Sequence, residues 1–108
     1  MTNQELPLIY GYMRVQRSHT DEELLALELD LRLFADSEGY QYVTTFQEFE
    51  SGCTRVFTAL VAELTRVGGH HVVVPTMDHL ALHPLLQIHL LMKLELDAGA
   101  EVFEVIAS

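Results

Sequence analysis

The chain has 108 residues, 49% of them apolar, which is enough for one hydrophobic core and excludes a disordered polypeptide. Six Lys and Arg stand against sixteen Asp and Glu, and the resulting charge of −10 opposes long-range attraction to nucleic acid, whose binding rests on neutralising phosphates. No apolar run is long enough to span a bilayer, and the single cysteine, Cys53, excludes an internal disulfide.

Residues 1–6 carry Glu5 where a signal peptide has a basic start, so a cytoplasmic chain is expected. Residues 8–15, with Ile9, Tyr10, Tyr12 and Val15, read as a first strand. Thr20 followed by Glu23 is a capping box, and Asp21, Glu22 and Glu23 suit a helix N-terminus. The helix is expected over residues 21–38, with Leu24, Leu27, Leu31 and Phe34 on its buried face and Gly39 ending it. Residues 41–48 supply β-formers for a second strand, and residues 49–53 form a loop. A second helix is expected from Thr54 to Val67, with Val56, Phe57, Leu60, Val61 and Leu64 on one side and Gly68-Gly69 as its stop. Residues 71–74 read as a short buried strand ended by Pro75. Pro84 opens a third helix that runs to Ala98 before Gly99, and residues 101–106 give a last strand.

The order βαβαβαβ with short connections predicts an α/β domain of three layers, with a mainly parallel four-stranded sheet between helices. In such sheets ligands sit beyond the carboxyl ends of the strands. Gln16, Ser51-Gly52 and Asp78-His79 all fall there, after strands one, two and three.

Three segments carry a resemblance. They are Tyr12-Met13-Arg14-Val15-Gln16, then Phe46 to Arg55 with its Ser51-Gly52, and Met77-Asp78-His79-Leu80-Ala81-Leu82. Together, over roughly residues 8–106, they resemble the N-terminal catalytic domain of the serine recombinases, the resolvase and invertase family. That family reads Tyr-x-Arg-Val-Ser, then Ser-Gly with a following arginine, then Leu-Asp-Arg-Leu-x-Arg. The resemblance implies a flavodoxin-like fold with strand order 2-1-3-4 and a serine that attacks a DNA phosphodiester while arginines neutralise the phosphate. Carried over by position, Arg14 and Asp78 match their motifs, and Arg55 matches the arginine after Ser-Gly. Gln16 occupies the serine position, and His79 and Leu82 occupy the positions of two arginines. An amide cannot form a phosphodiester, and Leu82 cannot hold a phosphate. The resemblance thus implies a degenerate member. The family's domain continues into a long dimerisation helix and a helix-turn-helix domain. Neither is read here, so residues 1–108 are expected to be one resolvase-like domain.

Other residues invite chemistry and have plainer readings. Ser18, in the turn before the helix cap, is read as a turn or capping serine and not as a displaced nucleophile. His79 and His83 have a metal-ligand spacing, but Pro84 implies that the helix starts after both, and they are read as loop histidines. His70-His71 is read as a turn pair and Cys53 as an inert thiol. No cofactor or metal is expected. The third helix is apolar nearly all round, through Leu85, Leu86, Ile88, Leu90, Leu91, Met92, Leu94 and Leu96. It is either buried on two sides or docks a partner or a second copy.

The leading functional expectation is a catalytically inactive recombinase-like domain acting through protein contact, with a protein partner, a homodimer, and no DNA binding by the chain alone. A recombinase component that works with a partner is the alternative. A phosphate or small-ligand module using Arg14 and Arg55 is a further one.

Overall fold

A computed structural model describes residues 6–16, 18–49 and 55–105. Strand β1 spans Leu8–Arg14, helix α1 Asp21–Glu38, β2 Gln41–Glu48, α2 Arg55–Val67, β3 His71–Val74, α3 Pro84–Ala98 and β4 Glu101–Glu104, with a 3₁₀ turn at Met77–His79 before α3. All neighbouring strands are parallel, and the sheet order is β2-β1-β3-β4, as the resemblance implied.

The ends of the helices are set by local chemistry. Thr20 Oγ1 accepts from the Glu23 N–H, and the Glu23 carboxylate accepts from the Thr20 N–H, which satisfies two amides that the first turn of α1 leaves over. Gly39 and Gly99 close α1 and α3 at φ 80° and 61°, a left-handed conformation that a Cβ disfavours. His83 caps α3, its Nδ1 accepting from the Leu85 N–H at 3.2 Å.

Pairing between β1 and β2 slips between Ile9 and Gly11, where β2 advances one residue further than β1. The space above Gly11 holds the Tyr42 hydroxyl, which is hydrogen-bonded to Thr45 Oγ1. Burial pushes the Tyr42 phenol up to about 12.

Alternation along β1 divides the core into two. Tyr10 and Tyr12 face a cluster with Phe57, Leu60 and Leu64 of α2, Leu90 and Leu94 of α3, and Val72 and Val74 of β3. Ile9 and Met13 face the other way, against Leu31 and Ala35 of α1 and Val73 of β3. Thus α1 covers one face of the sheet, and α2 with α3 covers the other. The expected buried faces of α1 and α2 are the observed ones, although Leu24, Leu27, Phe34 and Val56 are only partly covered.

Four details differ from the expectations. β1 ends at Arg14, although the Val15 N–H still bonds the Glu48 carbonyl at 2.7 Å. β4 ends at Glu104, and Ile106 lies outside the described residues, as do Arg17, Ser51, Gly52, Cys53 and Thr54. His71 is the first residue of β3 and not half of a turn pair, because its ring packs at 4.7 Å on Tyr40 and stacks on Phe103. Finally, α3 is buried on one side only. Leu90 and Leu94 are enclosed, whereas Leu85, Ile88, Met92 and Leu96 face outward, since β4 is an edge strand and only the sheet and α2 are available as cover. Among the described residues no helix is long and apolar enough to cross a membrane.

Candidate functional site

The carboxyl ends of β1 and β3 and the segments that follow them enclose a pocket of about 190 Å³, lined by Arg14, Gln16, His19, Thr76, Asp78, His79 and Leu82. Five of the six residues singled out from sequence therefore meet in one place. The sixth, Arg55, is the first residue of α2 and is not among the lining side chains. Ser18 is exposed and does not line the pocket either, and Ser51-Gly52 and Cys53 lie outside the described residues.

Arg14 ends β1 and is 9% exposed. One terminal nitrogen donates to the Leu80 carbonyl at 3.1 Å and to the Tyr12 hydroxyl at 3.4 Å. Its backbone N–H donates to Nδ1 of His79 at 3.2 Å. The strand end is thereby tied to the 3₁₀ turn and its following residue, and the guanidinium serves the architecture as well as the pocket. Gln16 is exposed. It is locked to His19 by two bonds, its N–H donating to His19 Nδ1 and its carbonyl accepting from the His19 N–H, both at 3.0 Å.

The rings of His19 and His79 stack at 6.4 Å with 7° between planes. Each accepts a backbone N–H at Nδ1, which assigns the proton of the neutral ring to Nε2. His79 is held below its ordinary value of 6.5, first by burial and then by repulsion from His19 and Arg14, with Asp78 pulling the other way. The neutral form is also the one that can accept from Arg14. With His79 neutral, Arg14 and Asp78 offset one another, and the described lining residues concentrate little positive charge.

A pH dependence follows. Because the folded-state value lies below the unfolded one, the unfolded chain takes up more protons as pH falls through 6.5. The contribution of His79 is fully present above pH 6.5, declines below it, and levels off once pH falls beneath the folded-state value. Urea unfolding from pH 8 to pH 5 is expected to show this decline, and His79→Asn is expected to flatten it. An equal slope in both proteins would show that other groups set it.

Two contributors were not legible in the sequence. His19 and Thr76 line the pocket, and neither lies in a motif segment. The more consequential omission is Glu48, which is 2% exposed at the end of β2. Its Oε1 accepts from the Val56 and Phe57 N–H groups at 3.2 and 3.3 Å and from the Tyr12 hydroxyl at 3.3 Å. A carboxylate on a helix N-terminus complements the helix dipole. Through Tyr12 the same group reaches Arg14, so the floor beneath the pocket is one polar network linking β1, β2, α2 and the turn after β3. The metal-ligand spacing of His79 and His83 does not produce a shared face: His79 ends the 3₁₀ turn and binds Arg14, while His83 caps α3.

A crystal structure of the C-terminal catalytic domain of ISC1926 TnpA, an IS607-like serine recombinase, superposes with a TM-score of 0.78 at 18% identity, covering 94% of this chain and 72% of that one. The N-terminal catalytic domain of TP901-1 integrase gives 0.74 at 16%, covering 91% and 76%. A resolvase family site-specific recombinase from Streptococcus pneumoniae gives 0.76 at 21%, covering 92% and 72%. At such identities these likenesses establish a common fold. No curated protein sequence matches the chain. A family profile described as the resolvase N-terminal domain matches residues 9–106. With that match over nearly its whole length, and with the parallel 2-1-3-4 sheet, the chain belongs to the resolvase N-terminal domain family.

Proposed function

We infer that this chain is a non-catalytic recombinase-type domain that acts through contacts with protein. The observation that carries the reading is Gln16 in the pocket after β1, where the family resemblance has its serine. The side-chain amide of Gln16 is not a nucleophile toward a phosphodiester, and the residue is held in place by its backbone N–H and carbonyl, both bonded to His19. Among the described residues the hydroxyl that lines the pocket, Thr76, lies after β3 on a different segment. His79 and Leu82 stand where the resemblance has arginines, and a transferring phosphoryl group requires positive charge held where negative charge develops. A neutral imidazole and an exposed leucine do not supply it. Arg14 is committed to Leu80 and Tyr12.

The test is incubation with supercoiled DNA followed by denaturing electrophoresis. No nick and no covalent protein–DNA adduct is expected, and Gln16→Ser alone is expected to restore neither, because both arginine positions remain empty of charge. An adduct formed by the unmodified chain would defeat the reading in favour of a recombinase component.

A further inference from the structure

We propose that the outward face of α1 docks a basic amphipathic helix of a partner protein. The proposal rests on the protein-contact reading and names the chemistry of the partner. Leu25, Leu29 and Leu33 recur every four residues, on the side of α1 away from the buried Leu31 and Ala35. They are 68%, 55% and 56% exposed. Residues four apart on a helix form a continuous ridge, and such a ridge is what the groove of a second helix receives. This one is about 12 Å long at a rise of about 1.5 Å per residue.

Charge decides what kind of helix fits. Helix α1 holds seven of the sixteen carboxylates of the chain against one cation, Arg32. Arg32 is used within the domain, bonding Glu28 at 3.4 Å and lying 4.8 Å over the Tyr42 ring. Glu22 and Asp36 fall in line with the leucine ridge at its two ends, and Asp30 flanks it. None of these three is ion-paired with a cation among the described residues. Acids in the first turn of a helix stabilise it, but Asp36 and Glu38 stand in the last turn, where the helix dipole favours cations and no basic residue is present. Helix stability does not account for that acidic end, whereas complementarity to a basic partner does. The same charge repels nucleic acid, an anionic lipid surface and a second copy of this chain, itself of charge −10. A helix with apolar residues at i, i+3, i+4 and i+7 and Lys or Arg beside them meets both the ridge and its acidic borders. One helix face is small beside the roughly 800 Å² that each partner buries in a standard interface, so the complex is weak.

Titration of the full chain with a synthetic helical peptide of leucine and lysine, its leucines on one face, tests the proposal. Binding in the micromolar range is expected, with amide NMR shifts centred on α1. Affinity is expected to fall with salt, as the Debye length shortens from about 10 Å at 0.1 M to about 3 Å at 1 M. Leu25→Ser with Leu29→Ser is expected to weaken binding by about tenfold or more, a change of about 1.4 kcal/mol or above. Glu22→Gln with Asp36→Asn is expected to weaken it and to flatten the salt dependence. Leu85→Ser with Leu96→Ser on α3 is expected to leave it unchanged. All these positions are on the surface, and circular dichroism checks that each variant folds. A peptide of the same composition with its leucines scattered is expected to bind about tenfold more weakly; equal binding would reduce the contact to charge alone and overturn the proposal. Absence of binding, shifts centred on α3, or adsorption of the chain to phosphatidylglycerol vesicles through α1 would overturn it too. DNA–protein adducts would defeat the non-catalytic reading and leave this peptide binding standing, so the two failures are distinguishable.

Discussion

Glu48→Ala is expected to lower the stability of the domain by about 3 kcal/mol, the cost of leaving buried donors without an acceptor at about 1–3 kcal/mol each, less what relaxation recovers. The donors are the Val56 and Phe57 amides at the start of α2 and the Tyr12 hydroxyl. With Glu48 2% exposed, little water reaches the site to replace the carboxylate. The midpoint of thermal unfolding is expected to fall by roughly 15 °C. Glu48→Gln keeps one carbonyl oxygen for the same amides and is expected to cost about 1 kcal/mol. Equal losses in the two variants would show that charge, and not the acceptor, holds the helix start.

The second large effect is expected at Gly11. A Cβ there would overlap the Tyr42 hydroxyl and come within 2.9 Å of Leu31 Cδ1. Neither neighbour is free to withdraw, since the hydroxyl is bonded to Thr45 and Leu31 is fully buried in the α1-side core. Gly11→Ala is therefore expected to cost about 2–3 kcal/mol through overpacking in the central strand. The cause can be isolated with Tyr42→Phe, which removes the obstructing oxygen at about 1 kcal/mol on its own. Added to Gly11→Ala, it is expected to recover about 1 kcal/mol instead of adding its own loss, a coupling that appears only between groups in contact. Strict additivity would place the strain elsewhere. Recovery stays partial because Leu31 remains close.

Features governed by neighbours in sequence were the most legible. The Thr20–Glu23 box, the stop at Gly39, Pro84 at the start of α3 and the apolar period of α2 are decided within one or two helical turns, and each lies where it was expected. Five of the six motif residues line one pocket, because parallel strands bring their carboxyl ends to one edge, whereas Arg55 at the start of α2 is not among its lining residues. Glu48 was not legible for the opposite reason. It serves amides eight and nine residues downstream across a loop, and a glutamate ending a strand carries no local mark of that use. The exposure of α3 was ambiguous for a different physical reason. A helix apolar on every side gives no periodic signal, and only the position of β4 at the sheet edge decides which leucines are covered.

The two-sided use of β1 has a consequence for the order in which the molecule can be built. Strand β1 is made first and sits inside the sheet, yet Leu8 lies beside Gln41 and Tyr10 beside Val72. A nascent chain that has emerged only as far as β2 can assemble β1, α1 and β2 and close much of the layer around Ile9, Met13, Leu31 and Ala35. Tyr10 and Tyr12 on the reverse side then stay bare until α2 and β3 arrive. During synthesis the half-made domain presents a wet aromatic surface and the unpaired backbone of a strand destined for the interior, both of which invite mispairing with other chains. Pairings between residues so distant in sequence also form late, because the loop must close before the contact rewards it. Strand β1 is thus paired on both edges only once four residues, His71–Val74, occupy the slot beside it.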